Sequence, residues 1–478
     1  MGIQALRSRV LIGGSAARIA LAAISAGFLL ACSDDPSGPG TTPPAEVTAT
    51  AIGVAAHPLV RDVDVQLDGV SRLRVEYWTT GSPRLRRESA RAAASHKIQM
   101  TRLIADALYE YEVRGIGSDG QLGEPARGQF TTGSLPAALA AIDFKASGRT
   151  TEPLTMLELR APPFFAFVVV DDDGQVVWFW KADLASRGYT RRQNGNFVFL
   201  QGPTLTGPGV RLAEVNSRAQ VVHDLSPTSH AHHDVIATPQ NTLYFIAIDE
   251  QTVNDTTWAG EAIWEWTPET GSETKIWSSF DVMSPIVDRG NRSRPDDWLH
   301  ANSIHIGPRG NIVMSLYFMP EVISIAPDLQ SLEWRLFGNY ATAMSVGDAE
   351  AYGTHTASEV SEGRVLVLDN GIDRPEGDYS RALEVEIDAD AGTARKVWEF
   401  RPHPDNHARI ISSARRLSNG NTLVAFGTSP GLAGSTGPIE VFEVTSSQHA
   451  VWHLTVDAHS VFRATPLSDI KGEVEVLE

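Results

Sequence analysis

A single cysteine, Cys32, in 478 residues leaves no partner for an intrachain disulfide, so burial and hydrogen bonding must hold the fold. Long apolar runs are lacking too. Residues 19–31, IALAAISAGFLLA, are apolar but too short to span a bilayer. No stretch shows the period of an amphipathic helix. Positive charge is in deficit, with 40 Lys and Arg against 58 Asp and Glu and a net charge of −18. That balance argues against nucleic acid or an anionic lipid surface as the main partner. What is present is an ordinary 42% of hydrophobic residues, enough for a sizeable core.

The N-terminus reads as an export signal. Arg7, Arg9 and Arg18 supply a basic region, and the apolar run ends at Cys32. Leu29-Leu30-Ala31-Cys32 resembles the lipobox of bacterial lipoproteins. The resemblance implies that residues 1–31 are removed and that Cys32 carries a lipid anchoring the protein to a membrane. Ser33, rather than aspartate, after the cysteine implies the outer membrane. An ordinary secretory signal with an incidental cysteine is the alternative. Residues 32–45 are a Pro/Gly-rich polar tether.

Residues 46–134 alternate with period two between turns, the pattern of a small β-sandwich. Expected strands include 63–67, 73–78, 96–100 and 109–117. Leu103, Tyr109, Tyr111 and the closing FTTG at 130–133 resemble a fibronectin type III domain. That likeness implies a corner formed by Tyr109 and a core packed by Trp78. The Arg-rich stretch 82–95 reads as an exposed loop. Nothing here has a catalytic pattern, so a spacer or docking role is expected.

From about 150 to 470 the chain repeats. Six times a strand ends in a Val/Ile-plus-Trp type signature: VVW at 176–178, VVH at 221–223, KIW at 275–277, LEW at 332–334, and VW at 397–398 and 451–452. Spacing of this order suits four-stranded units. The expectation is an all-β chain, a six-bladed β-propeller preceded by the sandwich, with seven blades as the competitor. The strand at 460–467 lacks a unit of its own, and pairing with the strands at 155–181 would close the ring.

Aligning the repeats on their internal turns is informative. Arg187, His233, Asn302, His355 and Ser412 each lie eight residues before the middle of a turn, and His300 lies ten before. Equal parity puts these side chains on one strand face, and equivalent innermost strands put them at similar height around a central channel. His232 should point the other way. Three converging histidines suit acid–base or nucleophilic chemistry. Structural histidines tied to carboxylates, or a metal site, are the alternatives. The residue pattern favours no metal, since no carboxylate holds a matched position and no same-face His pair lies on one strand.

HHD at 232–234, DWLHANSI at 297–304, HTASEV and VLVLDNG within 355–371, and RRLSNGNTLVAFG at 415–427 resemble the bacterial arylsulfate sulfotransferase family. The resemblance implies sulfuryl transfer from a phenolic sulfate to a phenolic acceptor by a ping-pong route through a sulfohistidine. It implies no cofactor, no metal and no nucleotide sulfate donor. Residue by residue it makes His355 the nucleophile and His233 and His300 its helpers. Asn302 and Ser412 would contact substrate. Where the family carries a sulfate-gripping arginine, this chain has Tyr317; Arg463 or Arg187 could stand in. A ligand-binding propeller without catalysis and a sulfate ester hydrolase are the rival functions. A homodimer is left open, since no segment specifies one.

Overall fold

The computed structural model describes residues 41–202 and 209–476. Cys32, the export signal and most of the tether lie outside the described residues. Among the described residues no helix is long and apolar enough to cross a membrane. Among the described residues the chain is nearly all β, with one α-helix, the single turn Ala137–Ala140.

The N-terminal sheet is organised by one 19-residue strand, Arg61–Thr79. Its first half pairs with Val47–Val54 and Ala93–Met100, its second with Leu85–Glu88 and Leu108–Ile116. Val63, Val65, Leu73, Val75 and Tyr77 from both halves share one core with Tyr109, Tyr111 and Phe130. The sequence expectation of two separate strands at 63–67 and 73–78 is therefore corrected. Alternation carries on through the Gly69 region because each half has its own partners, so no turn is needed there. Tyr77 rather than Trp78 fills the core: an odd residue of the strand faces inward, and half-buried Trp78 instead lies under the Arg84 guanidinium at 3.7 Å. The stretch 82–95 is not simply a loop, since Leu85–Glu88 is a paired strand within it. Arg87 from that strand is drawn into an ion pair with Asp469 at 2.8 Å. The Tyr109 hydroxyl does form a corner, accepting the Ile104 N–H at 3.0 Å.

Six sheets follow, each with a run of four antiparallel strands. Their first strands are Ala185–Arg191, His230–Ala237, Ala301–Ile306, Thr354–Ser361 and Ser413–Arg416. The remaining sheet takes three strands from 154–182 and its inner strand, Ser460–Leu467, from the far end of the chain. The expected closure is thus made by antiparallel pairing of residues 460–467 with 154–160. The inner strands neighbour one another in succession, and the last meets the first, so they enclose a ring in a propeller-like fold. The Val/Ile-Trp signatures all fall on outer strands. There Trp178 and Trp452 reach the adjacent sheet, donating to the carbonyls of Ser217 and Asp172 at 2.8 Å.

One device recurs around the ring. A short polar side chain on an inner strand accepts a backbone N–H from the next sheet. Asp234 takes Ile304, Ser303 takes Ala357, Thr356 takes Ala414 and Ser413 takes Ala464, all within 3.0–3.1 Å. Each acceptor stands one residue after a position picked out by the turn alignment.

The end of the chain was not foreseen. After the closing strand, residues 474–476 pair with Ala93–Met100, returning the C-terminus to the N-terminal sheet. His57 to the Phe179 carbonyl (2.9 Å) and Ser217 to Gln99 (2.6 Å) fasten the same junction. Pro43–Glu478 accordingly forms one compact unit.

A chain ending at residue 459 would leave the first sheet without its inner strand and the ring open. Its thermal unfolding, followed by circular dichroism, is expected to lose the cooperative transition of the full chain. An unchanged midpoint would contradict the closing role of residues 460–467.

Candidate active site in the ring of inner strands

Among the residues aligned by the turns His233 and His300 are in ring contact and His355 is within reach of their charges, but strand parity alone is not what aims them. On four of the inner strands the register slips at the matched position, between Ser186 and Gly188, His232 and Val235, Ala301 and Ser303, and Thr354 and Thr356, and the closing strand slips too, between Val461 and Ala464. Such a bulge turns one extra side chain off the ladder. Backbone strain adds to it. His233, His300, Ile411 and Ser412 have φ values of 56°, 55°, 54° and 90°, a region uncommon for residues other than glycine and least tolerant of a β-branched residue such as Ile411.

His355 is buried and oriented from both ends. Its Nδ1 lies 2.6 Å from Asn370 Oδ1. The Asn370 amide group donates to the Ala408 and Ile411 carbonyls, which identifies Oδ1 as the acceptor and Nδ1–H as the donor. Nε2 then holds the lone pair, and it accepts the Ile411 N–H at 2.9 Å. Burial, opposed by the Asn370 hydrogen bond and helped by His300, Arg463 and Arg160, pulls the His355 pKa down to about 3. The imidazole is neutral at physiological pH.

His233 and His300 stand edge to face, 4.9 Å between ring centroids. Burial, then the charges of His300, His232 and Arg187, keep His233 well below the usual imidazole range. Behind it lies His232, whose Nε2 meets Glu261 at 2.9 Å and whose Nδ1 meets His233 Nδ1 at 2.7 Å. The carboxylate fixes the proton on His232 Nε2, so His233 Nδ1 donates and its Nε2 is left as a base. His300 Nδ1 is held by Asp297 at 2.7 Å, and its ring stacks on Phe318 at 4.5 Å.

Asn302 is fully buried. Its Oδ1 accepts from Ser315 at 2.6 Å, while its Nδ2 has no acceptor. Ser412 Oγ accepts the Gly427 N–H at 3.0 Å, a tie within its own sheet. Tyr317 packs edge to face on His355, centroids 4.9 Å apart, but its hydroxyl is spent on the Arg409 carbonyl at 3.0 Å. Burial pushes that phenol up to about 12, so Tyr317 brings no charge. Beyond Tyr317 a cavity of about 290 Å³ opens, walled also by Phe318, Arg289, Arg292, Tyr340 and Tyr352.

Alignment showed no carboxylate at a matched position, yet carboxylates back the site from just outside it. Asp234 and Asp297 were visible only as neighbours of histidines in HHD and DWLHANSI. Glu261, two strands away from His232, had no local signal. Among the described residues no group of three or more His, Cys, Asp or Glu has the geometry to hold a metal ion.

The buried neutral histidines tie stability to pH. An unfolded histidine titrates near 6.5, whereas His57 and His305, both lowered by burial to about 4, and His355 stay neutral in the fold. The unfolded chain therefore binds more protons below pH 6.5, and stability falls as pH drops toward 4. Denaturant unfolding at pH 7 and pH 5 is expected to differ by about 2 kcal/mol for each such histidine. Replacing His305 by Gln should remove one share of that difference; an unaltered difference would contradict a neutral His305.

The arylsulfotransferase (ASST) family profile matches residues 145–463. No curated protein matches the chain. Among solved structures, a protein of unknown function from Bacteroides caccae is 14% identical, with a TM-score of 0.45 over 66% of this chain and 100% of that one. A protein from Lactobacillus plantarum is 11% identical, with a TM-score of 0.39 over 67% of this chain and 82% of that one. A catalytically inactive virginiamycin B lyase from Staphylococcus aureus, with quinupristin, is 11% identical, with a TM-score of 0.31 over 83% and 99%. These likenesses are too loose to inform function. The family match covers five of the six inner strands whole, the closing strand as far as Arg463, and all six candidate site residues, and on it the chain belongs to the arylsulfotransferase family.

Proposed function

We propose that the protein transfers a sulfuryl group from an aryl sulfate ester to a phenolic acceptor through a sulfohistidine at His355. The observation that carries this is the neutral, oriented His355 imidazole, with its lone pair on Nε2 and the paired His233 and His300 close enough for charges to act between them and it. A nucleophile at sulfur needs an unprotonated nitrogen, and burial with the Asn370 contact supplies one. In the first half-reaction Nε2 forms the N–S bond as the S–O bond to the aryl group breaks. The leaving phenolate, whose conjugate acid has a pKa of about 10, takes a proton. We assign that proton to His300, with Asp297 beside it to balance the charge. In the second half the acceptor phenol returns a proton to His300, attacks sulfur and frees His355. The Ile411 N–H must leave Nε2 before attack. Left-handed backbone at Ile411 and Ser412, worth about 1–3 kcal/mol of strain per residue, favours that opening. The aromatic-walled cavity beside Tyr317 suits the substrate ring.

Purified protein incubated with an aromatic sulfate should release phenol only when a second phenol is present as acceptor. His355→Asn should lower that rate at least about 1,000-fold while the unfolding midpoint holds. Acceptor-independent release would identify a hydrolase, and no release across donors and acceptors a binding protein; either result ends the transferase assignment.

We further propose that Cys32 is lipidated and holds the protein at a membrane, with the N-terminal sheets as a docking module. The support is the LLAC sequence at the end of the apolar run. Wild-type protein should partition into detergent on phase separation, and Cys32→Ser into the aqueous phase. Equal partitioning would remove the lipid anchor from the account.

A further inference from the structure

A sulfuryl group carries its charge on oxygen, and charge stabilisation in such a site calls for a cation or several N–H donors. Tyr317 occupies the place of the expected arginine and its hydroxyl is spent. Arginines from other strands are the remaining candidates. Arg463 is committed: one arm is paired with the Asp234 carboxylate, the other donates to the Asn302 carbonyl. Arg160 donates to the Ser186 carbonyl and lies 4.5 Å over the Phe462 ring. Arg415 makes no hydrogen bond, but it lies three residues further along its strand from the Ser412 position, in the field of Asp234 and Glu158.

Arg187 differs from all of these. It is 4% exposed, on the bulge of its inner strand. Among the described residues its guanidinium makes no hydrogen bond and no ion pair, and Nε is sealed from solvent without an acceptor. Burial pulls its pKa down to about 10, which leaves it charged at neutral pH, and the charge near enough to act on it is another cation, Arg160. A buried charge without a partner is costly, and burying one is offset only when a counter-charge arrives.

Position agrees with this. Gly188, next in the chain, leaves room for the His233–Asp234 backbone, since a Cβ there would lie 3.0 Å from the Asp234 Cα. That brings the Arg187 strand against His233, whose titration registers the Arg187 charge. The Arg187 strand and the His355 strand are three apart in the ring of six inner strands, on facing sides. The Asn302 Nδ2, buried and without an acceptor, is a second open donor in the same ring.

We propose that Arg187 is the anion ligand of the site, its planar fork holding two sulfuryl oxygens across the channel from His355, with Asn302 Nδ2 donating to an oxygen as well. This rests on the sulfuryl-transfer reading, yet it can be tested apart from it. The geometry suits a guanidinium, which presents paired N–H groups to paired oxygens where a lysine presents a point charge.

The test compares wild type, Arg187→Met and Arg187→Lys, using inorganic sulfate as the probe and an aryl sulfate as the substrate. Sulfate should raise the unfolding midpoint of the wild type. It should do so weakly for Arg187→Lys and not at all for Arg187→Met. Without sulfate, Arg187→Met should unfold at or above the wild-type midpoint, because an uncompensated buried charge has gone. In turnover, kcat/KM should fall about 100-fold or more for Arg187→Met, with partial recovery in Arg187→Lys. Sulfate stabilisation that depends on Arg187 in a protein without turnover would support the anion site and sink the transferase reading alone. Undiminished sulfate stabilisation in Arg187→Met would overturn the proposal, whatever its activity. So would a lowered midpoint for that variant without sulfate, which would mark Arg187 as a structural residue.

Discussion

Asp234 sits where three sheets meet, and the site is arranged around its carboxylate. One oxygen accepts the Val235 N–H at 3.0 Å and the Arg463 guanidinium; the other accepts the Ile304 N–H at 3.0 Å from the next sheet. Arg463 comes from the closing strand and continues to the Asn302 carbonyl on the sheet facing it. The closing strand is thereby tied across the ring by a buried charge pair, as well as to the first sheet by a strand ladder. Such a pair is weak evidence for stability as a whole, but losing one partner strands the other at a cost of about 3–5 kcal/mol. The constraint also has a chemical consequence: Arg463 cannot serve the ring as a free cation, because it is already part of the frame.

Much of the fold was legible because its signals are local. Period-two alternation, the Asn-Gly turns and the recurring Val/Ile-Trp ends mark strands without reference to distant residues, and an unpartnered terminal strand asks for the chain's other end. The channel residues were legible for the same reason, as equal distances from equivalent turns. What escaped was non-local or depended on a count of one. A bulge shifts parity by a residue, which alternation cannot reveal, and it is the bulges that present His233, Asn302 and His355 to the channel. Glu261 and Asn370 became partners of His232 and His355 only through strand pairing. Trp78 gave up its expected place in the core because alternation in the long strand turns the odd residues, Tyr77 among them, inward.

The site's chemistry follows from desolvation more than from any single contact. Burial keeps His355 neutral, as the proposed attack on sulfur requires, and it pushes Tyr317 up to about 12, out of reach as a charge donor. Burial also strengthens whatever charge is left without a partner. The carboxylates of Glu261 and Asp297 stand behind histidines, where they set tautomers without meeting an incoming anion. Strain sits in the Ile411–Ser412 backbone, where the Ile411 N–H caps His355 Nε2.

The central claim is that His355 itself takes up the sulfuryl group. Mass spectrometry of the protein after exposure to an aryl sulfate, with acceptor withheld, tests it most directly. The account predicts an adduct of about 80 Da, the mass of SO₃, on the peptide carrying His355, discharged when a phenol is added. An adduct on another residue, or turnover with acceptor and no adduct at any time, would contradict it.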